Sequence, residues 1–259
     1  MNNRATYVAS ILIIAILAGS LAVVVYGQSC SGVSCTWQTY RPVIGGVRTT
    51  ILLEIFPNNT ALINPATLSY VVRDNRTGRL GVITVAHVSD QPVGKQMYQP
   101  NLTWTYYIGN ITIANKTANL AYIQFILGVS GEPALLYITQ DSWQRPVKIY
   151  VNTTVRWESL FRSLTMYKTG QTTGTTSGGY IDKAEFCHGI VWCIYTSIPI
   201  QDGDSGSPVY YYGVGRDGRP WVGLVGHVTR GHYVNGQLCA IATSVNAAYE
   251  NGFTPLTVG

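Results

Sequence analysis

The sequence predicts an all-β protein because of its composition and its pattern of short apolar runs. Of the 259 residues, 18 are tyrosine, 46% are hydrophobic and only 11% are Asp, Glu, Lys or Arg. Tyrosine and threonine favour strands over helices, and this balance excludes a disordered chain. After residue 30, no stretch keeps a helical period for more than about 10 residues. The best helical candidate is the segment SVNAAYENG near the C-terminus.

The strand-like runs begin at about Trp37 and are separated by turn sequences such as PNNT and NRTG. In chain order they are TTILLEIF, ALIN, LSYVVRD, RLGVITVAHV, LTWTYYIG, NITIAN, LAYIQFIL, ALLYITQ, VKIYVNTTV, GIVWCIYTSI, SPVYYYG and PWVGLVGHV. Many short strands in about 220 residues are typical of barrels or of a sandwich. The segment from Asp141 to Pro146 is a weak break between two halves of about 100 residues each.

Residues 7–27 contain no charged side chain and follow Arg4, which predicts an export signal. These 21 residues are long enough to span a bilayer core of about 30 Å, and no clear small-x-small cleavage site follows them. A cleaved signal peptide and a retained membrane anchor therefore both stay open. A buried core helix is disfavoured at this length and position. In either case the remaining chain is delivered outside the cell.

Export agrees with the glycosylation acceptors and the cysteines of the chain. Six Asn-x-Ser/Thr sequences occur, at Asn58, Asn75, Asn101, Asn110, Asn115 and Asn152. They support export only weakly, because a threonine-rich chain contains some by chance. Five cysteines in an oxidising compartment predict two disulfides and one free thiol. The simplest pairing is Cys30 with Cys35 and Cys187 with Cys193, although Cys239 could replace either member of the second pair.

Two other classes of function are disfavoured by the residues present. The net charge is +5, but Lys and Arg form no block that could neutralise a run of phosphates. The sequence therefore predicts no nucleic-acid partner. A metal site built from Cys187, His188 and Cys193, or from His227 and His232, is the second choice of chemistry, but these spacings match no ligand pattern for structural zinc. No metal and no cofactor are expected.

The strongest chemical motif is Gly203-Asp204-Ser205-Gly206-Ser207-Pro208, which lies between two strand-like runs. A serine hydroxyl is a weak nucleophile. A tight, glycine-flanked turn can expose its oxygen and aim backbone N–H groups at a developing oxyanion. The N–H groups of Gly203 and Ser205 are the predicted donors. The alternative is a Gly-Asp-Ser-Gly hairpin turn without chemistry.

A nucleophilic serine needs a base, and the chain offers four histidines, which are His87, His188, His227 and His232. His87 ends the apolar run GVITVAH, so a rigid strand would hold its imidazole. On its own, a histidine at the end of a strand is more often structural. Its position 118 residues before Ser205 favours a catalytic base.

These two segments together resemble the chymotrypsin-like serine proteases, and within them the bacterial streptogrisins and α-lytic protease. Residues 167–178, YKTGQTTGTTSG, resemble the Arg-x-Gly-x-Thr-Thr-Gly-x-x-x-Gly segment of that branch, and the resemblance extends from about Val43 to the C-terminus. It implies two antiparallel six-stranded β-barrels (the trypsin-like serine protease fold) with a short C-terminal helix. The site would lie in the cleft between the barrels.

The resemblance also implies a division of the chain into domains. Residues 1–28 would be a signal peptide or membrane anchor formed by a hydrophobic helix, and residues 29–42 would be a linker. Residues 43–145 would form the N-terminal β-barrel and residues 146–259 the C-terminal β-barrel. Residues 43–259 would then be one peptidase domain.

The family's orienting acid is an asparagine in this chain. The family segment Asp-x-Ala-x-Ile/Val matches Asn119-Leu120-Ala121-Tyr122-Ile123. Replacing this acid by Asn in the enzyme class costs roughly 10⁴-fold in turnover with the geometry intact, or about 5–6 kcal/mol. An amide oxygen can still orient an imidazole, as in papain-like sites. Five other carboxylates match no family acid: Asp90, Asp141, Glu158, Asp182 and Glu185.

The resemblance implies a structural ion pair between Asp204 and Lys168, since Lys168 matches an arginine of the bacterial branch. Lysine lacks the two-pronged geometry of arginine, so the pair should be less rigid. An exposed Lys168 is the alternative. Arg41-Pro42 precedes a segment, VIGG, that looks like the family's mature start. Proline after arginine disfavours cleavage there by a trypsin-like activator, and this favours Lys168 as the cation.

The substrate pocket is expected beside Ser205, between the segments from Ile198 to Asp202 and from Leu224 to Thr229. The pocket residues would be Pro199, Ile200, Gln201, Asp202, Leu224, Val225, Gly226 and His227. Ile198-Pro199-Ile200 offers no carboxylate at the pocket base. We therefore expect an apolar or small residue, and not Lys or Arg, before the scissile bond.

The sequence thus predicts a secreted or membrane-anchored serine endopeptidase. Ser205 would attack the peptide carbonyl to form an acyl-enzyme, His87 would take and return the proton, and Asn119 would orient His87. The partners would be a peptide or protein substrate and, if residues 7–27 are uncleaved, the membrane. One alternative is an inactive homologue that binds peptides or proteins outside the cell. The other is a structural surface protein unrelated in activity.

Overall fold

The computed structural model of the chain describes residues 30–138, 146–187, 191–214, 218 and 220–258. Strands dominate these residues, so the all-β prediction is confirmed. The hydrophobic segment 7–27 and residues 141–145 of the weak break lie outside the described residues. No helix within the described ranges is both long enough and apolar enough to cross a membrane.

The strands and helices are numbered along the chain. The strands of the first half are β1 (Val43–Gly45), β2 (Arg48–Ile55), β3 (Ala61–Thr67), β4 (Val71–Asp74), β5 (Leu80–Thr84), β6 (Gln96–Tyr98), β7 (Tyr107–Asn115), β8 (Leu120–Phe125) and β9 (Gly131–Tyr137). Those of the second half are β10 (Val147–Tyr150), β11 (Thr153–Thr154), β12 (Thr165–Gly170), β13 (Gly174–Cys187), β14 (Val191–Pro199), β15 (Pro208–Val214), β16 (Pro220–Val234), β17 (Gln237–Ser244) and β18 (Phe253–Pro255). The helices are α1 (Asn246–Glu250) and the 3₁₀ turns Gly32–Trp37, Ala86–Val88, Trp104–Tyr106 and Trp157–Ser159.

The second half of the chain forms a closed six-stranded barrel. Its strands follow the order β16-β15-β12-β13-β14-β17, and β17 pairs back with β16 to close the ring. The short β11 adds to β16 in parallel. Closure removes the free strand edges that would otherwise expose unpaired backbone groups.

Seven strands of the first half and β18 of the second form an eight-stranded sheet in the order β18-β4-β5-β8-β7-β6-β2-β3, where the resemblance implied a six-stranded barrel. Strands β3 and β4 are consecutive in the chain. The backbone of the bend between them donates hydrogen bonds to two separate parts of the chain. Leu68 N–H donates to Val47 O at 2.9 Å, and Ser69 N–H donates to Ile83 O at 2.8 Å. The bend therefore connects the β2 side of the sheet with the β5 side. Strand β18, close to the C-terminus, pairs with β4 of this first half.

Three groups of buried side chains form the core. The first fills the N-terminal half and the third fills the C-terminal barrel. The second contains Tyr70, Tyr122, Tyr210, Leu224 and Phe253, and so combines residues from both halves. The two halves are therefore packed against each other by apolar burial, which stabilises the groove where they meet.

The structure confirms many of the predicted strands and contains others that were not predicted. The run SPVYYYG becomes β15, and α1 lies within the predicted helical segment. Strands β12, β13 and β17 were not among the predicted runs; in β12 and β13, threonine and glycine dilute the apolar alternation. The predicted strand leading to His87 ends earlier, at Thr84, and His87 lies in the following 3₁₀ turn.

The cysteines agree with the predicted disulfides in part. Cys30 and Cys35 are bridged, as predicted. Cys193 is also disulfide-bonded, while the Cys187 side chain lies outside the description, so the second pairing stays a prediction. Cys239 is a free, buried thiol.

We predict that Leu68→Ala strongly destabilises the fold. Leu68 is 0% exposed in the bend that joins β3 to β4, and truncating a buried leucine costs about 2–5 kcal/mol. Urea unfolding followed by circular dichroism measures this free energy. Leu127→Ala is the matched control, since that side chain is fully exposed at 104%. Equal midpoints for the two variants would contradict the described packing.

Candidate active site

The serine turn lies between the end of β14 and the start of β15, and two glycines give it its shape. Gly203 and Gly206 have φ values of +95° and +90°, which side chains other than glycine rarely adopt. A Cβ at Gly206 would lie 2.2 Å from Thr67 O, and one at Gly203 would lie 2.5 Å from Thr172 Oγ1. Glycine is therefore required at both positions for the turn to close around Ser205.

The turn leaves two backbone N–H groups available. Asp204 N–H donates to Gln201 O at 3.1 Å, and Gly206 N–H donates to Val228 O at 2.9 Å. Within the described residues, the N–H groups of Gly203 and Ser205 have no acceptor. These are the two donors predicted for the oxyanion, and unsatisfied donors beside a nucleophile are what such a site requires.

A buried ion pair between Lys168 and Asp204 stabilises the serine turn. Lys168 Nζ lies 2.9 Å from Asp204 Oδ2, and both side chains are 0% exposed. Asp204 Oδ1 also accepts from the N–H groups of Thr172 and Thr173 at 3.1 and 3.2 Å, and Oδ2 accepts from Gln201 N–H at 3.1 Å. Burial lowers the pKa of Lys168, and the Asp204 charge opposes that shift. The carboxylate is thus saturated with donors, as a buried charge must be.

The serine turn packs against the strands that lead to His87. Thr67 N–H donates to Ser205 O at 3.0 Å, and Thr67 Oγ1 donates to Gly203 O at 3.1 Å. Thr84 Oγ1 donates to Thr67 O at 2.9 Å, and Thr84 is the last residue of β5, three positions before His87. The structure therefore places the predicted nucleophile and the predicted base in one region, where the two halves of the chain meet.

Asn119 lies directly before β8 and contacts His87. Its φ of +49° is in the left-handed region, where asparagine is tolerated better than most residues. Asn119 Oδ1 accepts from the backbone N–H groups of Ala86 and His87, both at 3.1 Å. Asn119 Nδ2 donates to Thr229 O at 3.3 Å. These bonds fix which end of the amide is oxygen and which is nitrogen.

The amide orientation determines the protonation of the imidazole. Asn119 Nδ2 lies 2.8 Å from His87 Nδ1, and Oδ1, which already accepts two N–H groups, lies 3.1 Å from the same atom. The atom of the amide that the ring engages sets its tautomer, and the shorter contact, with the donor Nδ2, favours an accepting Nδ1 and a neutral ring with its proton on Nε2. A ring in this form cannot take a proton from Ser205 through Nε2. An aspartate would instead accept Nδ1–H and leave Nε2 free.

The environment of His87 favours the neutral ring. Burial lowers the pKa of His87 most and the charge of Arg230 lowers it further, while a hydrogen bond that the charged ring donates to Asn119 Oδ1 raises it. Among the described residues, the Ser205 hydroxyl makes no hydrogen bond to His87. A cleft of about 490 Å³ opens beside the ring, lined by Leu53, Glu54, Leu62, His87, Val88, Ser89, Asp90, Gln91 and Lys95. The ring is therefore neutral and accessible.

His227 lies behind Asn119 and differs from its predicted place in the pocket. It is 0% exposed, and its Nε2 lies 3.2 Å from Asn119 O. Its ring meets Tyr70 edge to face with centroids 6.2 Å apart. Burial lowers the pKa of His227 to about 4, with the hydrogen bond to Asn119 acting in the opposite direction. His227 therefore supports the backbone of Asn119 and is closed to substrate.

The two predicted pocket walls have different surroundings. In the first wall Gln201 and Asp202 are exposed, Pro199 is partly buried and Ile200 is 7% exposed. In the second wall, Leu224, Val225 and Gly226, which were predicted to line the substrate pocket, are buried within β16. The end of that segment reaches the site: Val228 O accepts from Gly206 N–H, and Thr229 O accepts from Asn119 Nδ2.

The two residues that follow Thr229 in β16, Arg230 and Gly231, were not among the predicted pocket residues. Both are exposed. A Cβ at Gly231 would lie 2.6 Å from Leu238 Cδ1 and 3.4 Å from Ile200 Cδ1, so this glycine lies against two apolar side chains. No local motif marks them, but their position in the same run as Thr229 could have indicated them.

The alternative metal site has little support among the described side chains. No three His, Cys, Asp or Glu in the described part of the chain lie close enough to hold a metal ion. His232 Nε2 lies 2.8 Å from Thr196 O, and its ring packs against Tyr195. His188 and the Cys187 side chain lie outside the described residues.

The fold and the serine turn together define a class of protein: the structure is similar to bacterial chymotrypsin-like serine proteases. The similar structures include the chymotrypsin of Cellulomonas bogoriensis (17% identity, TM-score 0.55, 83% of this chain and 99% of that one). They also include Thermobifida fusca protease A (14%, 0.57, 83% and 98%) and Nocardiopsis protease (15%, 0.58, 83% and 99%). No protein-family model and no curated protein matches the sequence. Identities this low establish a shared fold.

We predict that Lys168→Met destabilises the protein by about 3–5 kcal/mol, because it leaves the Asp204 carboxylate buried without its cation. Chemical denaturation at neutral pH measures the change. Lys148→Met is the control: Lys148 pairs with Glu132 at a partly exposed position, where an ion pair contributes about 0–1 kcal/mol. Indistinguishable losses for the two variants would show that Lys168 does not compensate a buried charge.

We predict that acid weakens the fold through His227. Its pKa falls from 6.5 to about 4 on folding, so the unfolded chain binds the proton first. The stability that this neutral ring provides is complete above pH 6.5 and is lost as the pH falls towards 4, at up to about 1.4 kcal/mol per pH unit. Urea midpoints across this range measure the slope. His227→Gln should flatten it, and an unchanged slope would contradict the assignment.

Proposed function

We propose that this protein is a serine endopeptidase with low intrinsic turnover. One observation carries the proposal: the Ser205 turn, with the N–H groups of Gly203 and Ser205 unengaged, packs against the strand that leads to the His87–Asn119 pair. The site fits acyl transfer, which needs a nucleophile, a base and oxyanion donors. The turn lies where the closed barrel of the second half meets the eight-stranded sheet of the first half, which fits a single site between two β-rich halves.

In the proposed reaction, Ser205 Oγ attacks the peptide carbonyl and His87 Nε2 takes its proton. The N–H groups of Gly203 and Ser205 stabilise the oxyanion, and His87 returns the proton to the leaving amine. Water then hydrolyses the acyl-enzyme by the same route. The first step needs an unprotonated Nε2, whereas Asn119 Nδ2 favours the opposite tautomer. Each turnover must therefore populate a disfavoured ring, and this keeps the rate low.

The same observation supports a second candidate, a catalytically inactive homologue that binds peptides. A donor amide at His87 Nδ1 removes the base without altering the groove, because the amide occupies the space of a carboxylate. Binding would then use the exposed strand end at Arg230 and Gly231. This candidate predicts peptide affinity without cleavage.

We further propose that the protein works outside the cell, either secreted or anchored by residues 7–27. The disulfide between Cys30 and Cys35 supports an oxidising compartment. Three of the six glycosylation acceptors, Asn58, Asn75 and Asn101, are exposed and could carry glycans. The other three, Asn110, Asn115 and Asn152, are partly buried and hydrogen-bonded through their side chains, which makes them poorer candidates.

Labelling with a fluorophosphonate separates the two candidates. The enzyme should become labelled at Ser205, and the label should be lost in Ser205→Ala and strongly reduced in His87→Ala. A Ser207→Ala variant is the control for the neighbouring hydroxyl, which is buried and bonded to Asp204 O. A folded protein that binds peptides but takes no label at Ser205 would establish the inactive homologue and refute the peptidase.

We predict that Asn119→Asp raises turnover by about 10³–10⁴-fold, because a carboxylate would accept Nδ1–H and leave Nε2 free as the base. Hydrolysis of a peptide mixture, followed by mass spectrometry, measures the change. The backbone N–H groups of Ala86 and His87 would still bond to the carboxylate, so the fold should survive. Unchanged turnover with intact structure would mean that the orientation of the amide does not limit the reaction.

A further inference from the structure

Arg230 is an exposed cation beside the candidate site. It directly follows Thr229, whose carbonyl accepts from Asn119 Nδ2 at 3.3 Å. The pairing of β16 with β17 is irregular at this place, where the register shifts between Val228 and Arg230. Irregularities of this kind turn a side chain in a new direction, often next to active sites. Here Thr229 remains 4% exposed while Arg230 opens to solvent.

The charge of Arg230 is exposed to solvent. In the described part of the chain, its side chain makes neither a hydrogen bond nor an ion pair. Its charge acts on two neighbours: it adds to the burial that lowers the pKa of His87, and it opposes the hydrogen bond with Glu185 that raises the pKa of Tyr195. The guanidinium therefore acts electrostatically on the imidazole of the candidate site.

We propose that Arg230 selects peptides that carry an Asp or Glu side chain near the scissile bond. This inference rests on the proposed function, and it holds for both the peptidase and the inactive homologue. A peptide that follows the exposed end of β16 at Arg230 and Gly231 passes the guanidinium, which binds a carboxylate through two parallel N–H bonds. Two exposed carboxylates lie on the segments that carry the other site residues: Asp202 is next to the serine turn, and Asp90 follows the His87 turn. They would repel an acidic side chain from those directions.

Binding of charge-matched peptides tests the proposal independently of turnover. The probes are fluorescent alanine-based octapeptides that carry one Asp or one Lys, scanned over successive positions. Affinities are measured by fluorescence anisotropy with the full chain in a Ser205→Ala background, so that cleavage cannot interfere. Three variants are compared in that background: Arg230→Gln, Arg230→Glu and, as the matched control, Arg156→Gln, an exposed arginine on a different segment.

At least one Asp position should bind about 5-fold tighter than its Lys counterpart. Arg230→Gln should remove this preference, Arg230→Glu should reverse it, and Arg156→Gln should leave it unchanged. About 0.5 M salt should weaken the preference. Equal affinities for the Asp and Lys peptides, or a preference that survives Arg230→Gln, would overturn the role of Arg230. No binding of either series would also overturn it, and fluorophosphonate labelling of the unmodified chain then decides whether the proposed function fails as well.

Discussion

The orientation of one side-chain amide governs the chemistry available to this site. The oxygen of Asn119 is held by two backbone N–H groups, and its nitrogen is held by a carbonyl of the second half of the chain. Turning the amide over would place donors against donors and an acceptor against an acceptor, at a cost of several hydrogen bonds. The amide nitrogen therefore contacts the imidazole, and this favours a neutral ring with its proton on Nε2.

The serine turn depends on a different constraint, the saturation of a buried carboxylate. The carboxylate of Asp204 accepts hydrogen bonds from Lys168 and from the N–H groups of Thr172, Thr173 and Gln201. These bonds fix the conformation of the turn. In this conformation the N–H groups of Gly203 and Ser205 have no acceptor within the described residues. The proposed oxyanion donors are thus preformed, whereas the proposed base is not. The site is prepared for binding a carbonyl more completely than for proton transfer.

Sequence patterns could predict the strands and the serine turn because both have local signatures. SPVYYYG becomes β15, and two glycines around Ser205 are needed for positive φ. The amide orientation had no such signature, because it depends on Thr229, 110 residues after Asn119. His227 was misplaced for a related reason: residues 222–229 of β16 are buried without alternation, so the sequence does not reveal which face a side chain occupies.

The position of the proton on His87 tests this account most directly. ¹⁵N NMR of the imidazole at about pH 8, where the ring is neutral, distinguishes a protonated nitrogen from an unprotonated one. The account predicts a proton on Nε2 and a bare Nδ1 in the unmodified chain, with the proton moving to Nδ1 when Asn119 is replaced by Asp. A proton on Nδ1 in the unmodified chain would contradict it, because the amide would then present its oxygen to the ring.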